Sequence, residues 1–278
     1  MARAAVTRLD AQHFREFEVV VVDDGSTDGT DAVLADLVSA RVRYMRQPNQ
    51  GLCAARNAAL RIARGQYVVF LDDDDPPHPE LLARFASIIR QGSPGVISCA
   101  TALVLPDGSL DFVTWPQSRG PEPGDFTVNH LPGAFAARRD LLQEIGGYAP
   151  GLQSHHQAEL MLRLLPLCQS RGVPVVPVYE ILMQKAHLPL QARREHQPAQ
   201  LLAGMQQILG AHGSALKRSP GLLADYHAIA GVAAVRCGQL PLARRHLRAA
   251  LRARPSPRAL IRLCAAWSPW SERAWMYA

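Results

Sequence analysis

Two short β-branched runs, each ending in a cluster of aspartates, constrain this chain more than any other feature. The first is Phe17 to Val22 (FEVVVV), followed by Asp23-Asp24-Gly25-Ser26-Thr27-Asp28-Gly29. The second is Tyr67 to Leu71 (YVVFL), followed by Asp72-Asp73-Asp74-Asp75. Runs so short and apolar read as buried strands, being too brief for helices. Four adjacent carboxylates repel one another and need a counter-charge. At the end of a strand the obvious one is a divalent cation holding an anionic ligand, because hard cations take oxygen donors. Taken alone, the segment reads equally well as a solvated acidic turn ahead of Pro76-Pro77.

The surrounding sequence fixes the fold class. Asp28 or Thr30 caps a helix that runs to about Val38, and Arg41 to Arg46 alternates as a half-exposed strand. Asn49-Gln50-Gly51 turns into an Ala-rich helix, Leu52 to Arg64. Pro79 to Arg90 reads as a further helix and Val96 to Val104 as a strand, with Asp107-Gly108 as a hairpin turn into Leu110-Thr114. His156 to Gln169 has helical spacing despite Pro166, and Val173 to Val178 is a last apolar strand. Strands alternating with helices predict an α/β domain with a mostly parallel sheet flanked by helices.

Beyond residue 190 the pattern is helical only, and the charge changes sign. From Gln191 onward there are 13 Lys/Arg against three acids (Glu195, Asp225, Glu272), whereas the first 190 residues carry 17 bases and 21 acids. This shift predicts an α/β domain over residues 1–189 and a helical basic tail over 190–278. No run approaches the ~20 apolar residues of a membrane span. The five cysteines are scattered without a Cys-x-x-Cys spacing, which suggests neither a zinc site nor a disulfide framework. A reducing, cytoplasmic setting is the expectation.

In open α/β sheets ligands sit beyond the carboxyl ends of strands, where both acidic loops fall. One loop can hold a nucleoside, since a carboxylate accepts from a uracil imide or a ribose hydroxyl, while the other holds a metal bridging its phosphates. FEVVVVDDGSTDGT, NQGLCAARNAALRIARGQYVVFLDDDD and GAFAARRDLLQEIGGY, in that order, resemble consecutive motifs of family 2 glycosyltransferases over roughly Phe17 to Tyr179. The resemblance implies a GT-A, Rossmann-like fold that uses a nucleotide-diphosphate sugar. It implies that Asp23, with Asp24, Arg56 and Asp72, contacts the nucleotide, and that Asp72 and Asp74 form a D-x-D pair for Mg²⁺ or Mn²⁺. Asp73 and Asp75 are second choices. Asn57, beside Arg56, is expected to face the nucleotide. Asp24 and Asp28 are equally well read as turn formers and helix caps. Gly146-Gly147 reads as a helix stop or an acceptor contact, and Trp115 as a sugar platform or cover for an apolar patch.

Two departures from that family stand out. The resemblance implies a strand and a Pro-x-Tyr/Phe-Asn motif ahead of the first acidic loop, whereas Met1 to Arg15 reads as only the helix that should follow it. The expectation is a late start or a fragment, with the Phe17 strand short of one neighbour. The second departure concerns the base that an inverting transfer needs. Aligned on Leu160-Met161-Leu162-Arg163, Gln157 falls where the resemblance places a carboxylate. His156 and Glu159 are the replacements, a histidine's ordinary pKa of ~6.5 suiting proton removal at neutral pH.

In the tail, Gly231 to Pro255 reads as two helices of a tetratricopeptide-like pair that must dock to bury its face. Arg244, Arg245, Arg248 and Arg252 form a basic stripe. With Trp267, Trp270 and Trp275 it suggests a solvated face or a peripheral contact with the inner membrane surface. No nucleic-acid motif accompanies the charge. The acceptor, whether glycan, lipid or protein, is not specified by any motif.

Overall fold

The computed structural model describes residues 2–117, 131–186 and 197–267. They fall into two compact units. One holds residues 2–117, 131–151 and 157–186, and the other holds 152–156 and 197–267. The expected boundary at 189/190 lies outside the described residues, as do Trp270 and Trp275. The segment 152–156, just ahead of Gln157, groups with the helical unit.

The first unit opens with helix α1 (Ala2–Leu9), then β1 (Val19–Asp23), α2 (Thr30–Ala35), β2 (Val42–Arg46), α3 (Leu52–Ile62), β3 (Tyr67–Val69) and α4 (Leu81–Gly92). It continues with β4 (Val96–Val104), β5 (Leu110–Thr114), β6 (Phe135–Arg138), α5 (Arg139–Glu144), α6 (His156–Ser170) and β7 (Val175–Ala186). The expected strands and helices are present within a few residues at their ends, except that the last strand runs eight residues past Val178 to Ala186. The N-cap of α2 is Gly29, which makes no side-chain cap bond, and Asp28 just before it accepts from the Thr30 amide and hydroxyl as a turn former.

One strand escaped the sequence reading. β6 is four residues of Phe135-Ala136-Ala137-Arg138, too short and too Ala-rich to stand out. It enters antiparallel between β3 and β4. The five-stranded sheet is therefore mixed, its longest pairing, β4 with β7, being parallel like that of β1 with β2. β3, β4 and β7 run one way, whereas β5 and β6 run the other. β4, buried along most of its length, carries β5 and β6 on its antiparallel side and pairs β7 in parallel. α4 packs Leu81 and Phe85 onto Ile97, Cys99, Ala136 and Met183 to form the core of this sheet.

β1 and β2 form a separate parallel pair, covered by Val6 of α1 and Leu34 of α2. Among the described residues β1 pairs with β2 alone and β3 with β6 alone. A cleft of about 540 Å³ opens there, lined by Val20 and Val22 of β1, Val68 of β3, Ala59 of α3 and Phe85 of α4.

A buried amide ties α1 to α4. Gln12 is fully buried, its Nε2 donates to His78 O (2.7 Å) and its Oε1 accepts from Leu82 N (3.0 Å). The second bond satisfies one of the orphan amides in the first turn of α4. The neighbouring His13 N donates to Pro79 O at 3.0 Å.

The second unit contains α7 (Pro198–Leu216), α8 (Pro220–Arg236), α9 (Leu240–Ala253) and α10 (Pro257–Ala265), so the tail is helical as read. α8 and α9 meet at Gly231, where a Cβ would lie 2.7 Å from Leu247 Cγ. Arg244 and Arg248 of the basic stripe lie over the Trp267 ring, at 4.0 and 5.4 Å. No helix among the described residues is long and apolar enough to cross a membrane.

Replacing Gln12 with alanine removes the partner of the Leu82 amide, whereas His78 O keeps its bond from Leu81 N. The expected loss is about 1–3 kcal/mol of unfolding free energy, measured by urea or guanidinium titration. A loss below about 0.5 kcal/mol would show that the tie carries no stability.

Candidate active site

The first acidic loop is built around two carboxylates with different jobs. Asp23 ends β1 with its side chain 1% exposed. Its oxygens accept from Ser26 N and from the Tyr44 hydroxyl, both at 2.8 Å, with Arg46 Nε 3.7 Å away. Burial pushes its pKa up, but the Ser26 and Tyr44 hydrogen bonds and the Arg46 charge outweigh that and hold it below the usual carboxylate value. Asp23 is therefore ionised, and a carboxylate offers about four acceptor positions, so lone pairs remain for a ligand.

Asp24 faces the following loop. Its Oδ1 accepts from Gln47 Nε2 (2.7 Å) and Gln50 N (3.0 Å), and its Oδ2 from Gly51 N (2.7 Å). The negative charge sits at the N-terminal end of α3, where helix amides and dipole favour it. Gly25 has φ 82°, and a Cβ there would come within 2.9 Å of Asn49 N. Only glycine lets this turn close on the loop before α3.

α3 links the two acidic ends. Arg56, half-way along it and buried, donates from Nη2 to Asp72 Oδ1 at 2.7 Å. Its guanidinium carbon lies 5.2 Å from the centre of the Tyr148 ring. With the Gln157 amide turned so that its oxygen faces the guanidinium, Oε1 accepts from Nη1 at 2.7 Å and from Nη2 at 3.2 Å. Arg56 is thus a buried cation shared by a carboxylate, an amide and an aromatic face. It is no solvated surface arginine.

Asn57, expected to face the nucleotide, does not. Its amide is committed to the Tyr148 backbone in both directions, Nδ2 to Tyr148 O (2.9 Å) and Tyr148 N to Oδ1 (2.8 Å). Gly147 has φ 69°, and a Cβ there would sit 2.3 Å from Asn57 Oδ1. That close approach, more than a helix stop, accounts for this glycine. Trp115 is 41% exposed.

In the second acidic loop, carboxylate oxygens of Asp72, Asp74 and Asp75 lie within 4.8 Å of one another. Asp73 is not in this group. A hard cation bonded at ~2.1 Å draws opposed ligands to about 4.2 Å, so a small closure would fit the three to one ion. The donor set, carboxylate oxygens only, suits Mg²⁺ or Mn²⁺. The cluster also has a cation of its own. Lys185 Nζ lies 2.9 Å from Asp75 Oδ2 and 3.7 Å from Asp72 Oδ2. Asp75 is 3% exposed, and burial pushes its pKa up to about 6, against the opposing pull of Lys185. Asp75, a second choice from the sequence, is the most deeply placed of the three.

The candidates for the base are less assembled. His156 begins α6, and His155 before it has φ 57°. The Glu159 side chain, 6% exposed, is held by Arg163 through two hydrogen bonds of 2.8 and 2.6 Å. Lys185, Tyr148 and the Gln157–Arg56 contact were not foreseen. The apolar run marking the last strand stops at Val178, so nothing in the sequence put Lys185 at the end of a strand.

Known proteins share this architecture. The chain matches the family described as glycosyl transferase family 2 over residues 1–146. It belongs to that family. It is 35% identical over 107 residues to a chondroitin synthase of Pasteurella multocida, covering 37% of this chain and 11% of that protein. It is 28% identical over 173 residues to an uncharacterized glycosyltransferase of Haemophilus influenzae, covering 58% of this chain and 56% of that protein. The chain thus spans only part of the curated relatives it matches. Among solved structures, S. aureus TarS 1-349 in complex with UDP-GlcNAc superposes with a TM-score of 0.64 at 20% identity, over 97% of this chain and 82% of that one. The fold is that of the GT-A glycosyltransferases.

The raised pKa of Asp75 makes a stability prediction for the metal-free protein. Its folded value of about 6 lies above the ordinary 3.8, so the folded state holds the proton more tightly. The resulting stabilisation is complete below pH 3.8 and is lost as pH rises through about 6. Between about pH 4.5 and 7.5, wild type should lose about 2 kcal/mol more than Asp75→Asn, a tenfold difference in proton affinity being worth ~1.4 kcal/mol. Urea unfolding in EDTA at the two pH values measures it, and parallel curves would refute the assignment.

Proposed function

We propose that this chain transfers a sugar from a nucleotide-diphosphate sugar, a UDP-sugar first among them, to a glycan, lipid or protein acceptor. Transfer is inverting and uses Mg²⁺ or Mn²⁺. The observation that carries this reading is the pair of acidic strand ends joined through α3. An ionised Asp23 stands at one, and the Asp72, Asp74 and Asp75 group, with Arg56 on Asp72, at the other. Family membership and the likeness to a structure holding UDP-GlcNAc support it. A cytoplasmic enzyme fits the free cysteines, and the arginine-rich tail suits peripheral contact with the inner membrane face.

In this reading Asp23 accepts from the nucleobase, and Asp24 positions the Gln47–Gly51 loop. Asp72, Asp74 and Asp75 would hold the cation, with Asp72 also facing the ribose. When bound, the cation offsets charge developing on the leaving diphosphate. Arg56 fixes the Asp72 carboxylate, and Gln157 and Tyr148 fix Arg56. In this reading the acceptor proton goes to His156, with Glu159, ion-paired to Arg163, as the other candidate.

A second reading has one specific observation behind it. Gln157, at the position the resemblance gives to the base, is buried and spends its oxygen on Arg56. An amide takes no proton at neutral pH, so the chain would bind a nucleotide or partner without turnover.

UDP-GlcNAc turnover and UDP binding with Mn²⁺ separate the two. The first reading expects turnover that falls at least ~100-fold in Asp74→Ala. It also expects a fall of ~100-fold in kcat, with UDP affinity unchanged, in His156→Ala. UDP binding without turnover, with activity gained in Gln157→Asp, establishes the second. Absence of both binding and turnover sinks both.

A further inference from the structure

We infer that Lys185 is a resident counter-cation of the aspartate cluster, one that competes with the divalent ion for Asp72 and Asp75 and passes to the donor's diphosphate when the ion binds. The inference rests on the reading of Asp72, Asp74 and Asp75 as the metal site. Its own basis is the position of the ammonium, 2.9 Å from Asp75 Oδ2 and 3.7 Å from Asp72 Oδ2. These are two of the three carboxylates whose oxygens converge.

The backbone puts Lys185 there. Three successive contacts lace β7 to the loop that leaves the aspartates. His78 N donates to Leu182 O at 2.9 Å, Pro77 and Met183 form an antiparallel bridge, and Gln184 N donates to Pro76 O at 3.2 Å. On its other side Lys185 is in register with Leu103 of β4. The α-carbon is therefore pinned beside the acidic loop, and only the four-carbon stem can move. Asp75, buried as it is, is costly to leave ionised without a cationic partner. Lys185 supplies that partner until a metal ion does.

The two cations want the same oxygens. A divalent ion bonded to Asp75 and Asp72 would sit a few ångströms from the ammonium, and like charges at that range repel strongly. A lysine can yield. Its compact charge on a flexible stem swings away, whereas an arginine would grip the carboxylates with a planar fork. This chain holds 30 basic side chains, of which Lys185 and Lys217 alone are lysines. The released ammonium lies within reach of a phosphate held by the metal, and a lysine serves well as a point-charge phosphate ligand. Metal and donor binding are then coupled through one side chain. Without the metal, Lys185 keeps the cluster closed.

Two measurements on the full chain test this. The first is Mn²⁺ binding without nucleotide, by titration calorimetry or by the electron paramagnetic resonance of free Mn²⁺. Lys185→Met, which keeps the stem volume, should bind Mn²⁺ about tenfold or more tighter than wild type, as expected from relief of one close like-charge contact. In saturating Mn²⁺ the same variant should bind UDP about tenfold more weakly, with Lys185→Arg recovering part of the loss. The second measurement uses wild-type protein and stands even if Lys185→Met fails to fold. Acylation by acetic anhydride, mapped by mass spectrometry, should speed up at Lys185 when Mn²⁺ is added and slow again when UDP follows. The exposed Lys217 serves as the internal reference. Equal Mn²⁺ affinities, or Lys185 reactivity indifferent to bound Mn²⁺, overturn the inference and leave the metal site standing. No Mn²⁺ binding by either protein overturns both.

Discussion

Gathering carboxylates at the buried ends of strands is costly unless cations meet them there, and this molecule is organised around that requirement. The cluster at Asp72 to Asp75 is answered from two directions. Arg56 reaches Asp72 from α3, and Lys185 reaches Asp75 and Asp72 from β7. Neither cation lies close in sequence, so the cluster is tolerable only once the sheet has brought α3 and β7 to it. The desolvation penalty that threatens the fold therefore also draws its pieces together.

α3 is the member on which both acidic loops depend. Its N-terminal end is met by Asp24, its middle presents Arg56 to Asp72, and the next residue, Asn57, locks the Tyr148 backbone. Successive positions along one short helix thus join the loop after β1, the loop after β3 and the glycine turn before α6. A shift of α3 would uncouple the Asp23–Asp24 loop from the Asp72–Asp75 cluster. Gly147 permits the lock, since any side chain there would strike Asn57. The buried Gln12 amide ties α1 to the start of α4 in the same unit.

Much of this was legible beforehand. The β-branched runs at Val19 and Tyr67, the helix after Asp28 and the hairpin at Gly108 follow from local chemistry, and each formed close to its expected place. The reading failed where the signal was not local. β6 is short and small-sided, and it shows itself only when β3 and β4 offer it edges on both sides. β7 continues past Val178 to Ala186 because β4 and the Pro76–His78 loop pair with it, a gain that the apolar pattern does not display. Asn57 was assigned to the ligand by its neighbour's company, yet its amide geometry suits a backbone turn.

The sequence by itself determined the chemistry on offer. It set acids at two strand ends, an arginine between them and an amide where a carboxylate is expected, because charge and residue type are properties of the chain. Only the tertiary structure decided who meets whom. It buried Asp75 and left Asp74 in solvent, engaged Glu159 with Arg163 and turned Gln157 onto Arg56. It also carried Lys185 across 110 residues to the aspartates. Those outcomes depend on desolvation and on hydrogen-bond partners that exist only after distant elements have packed.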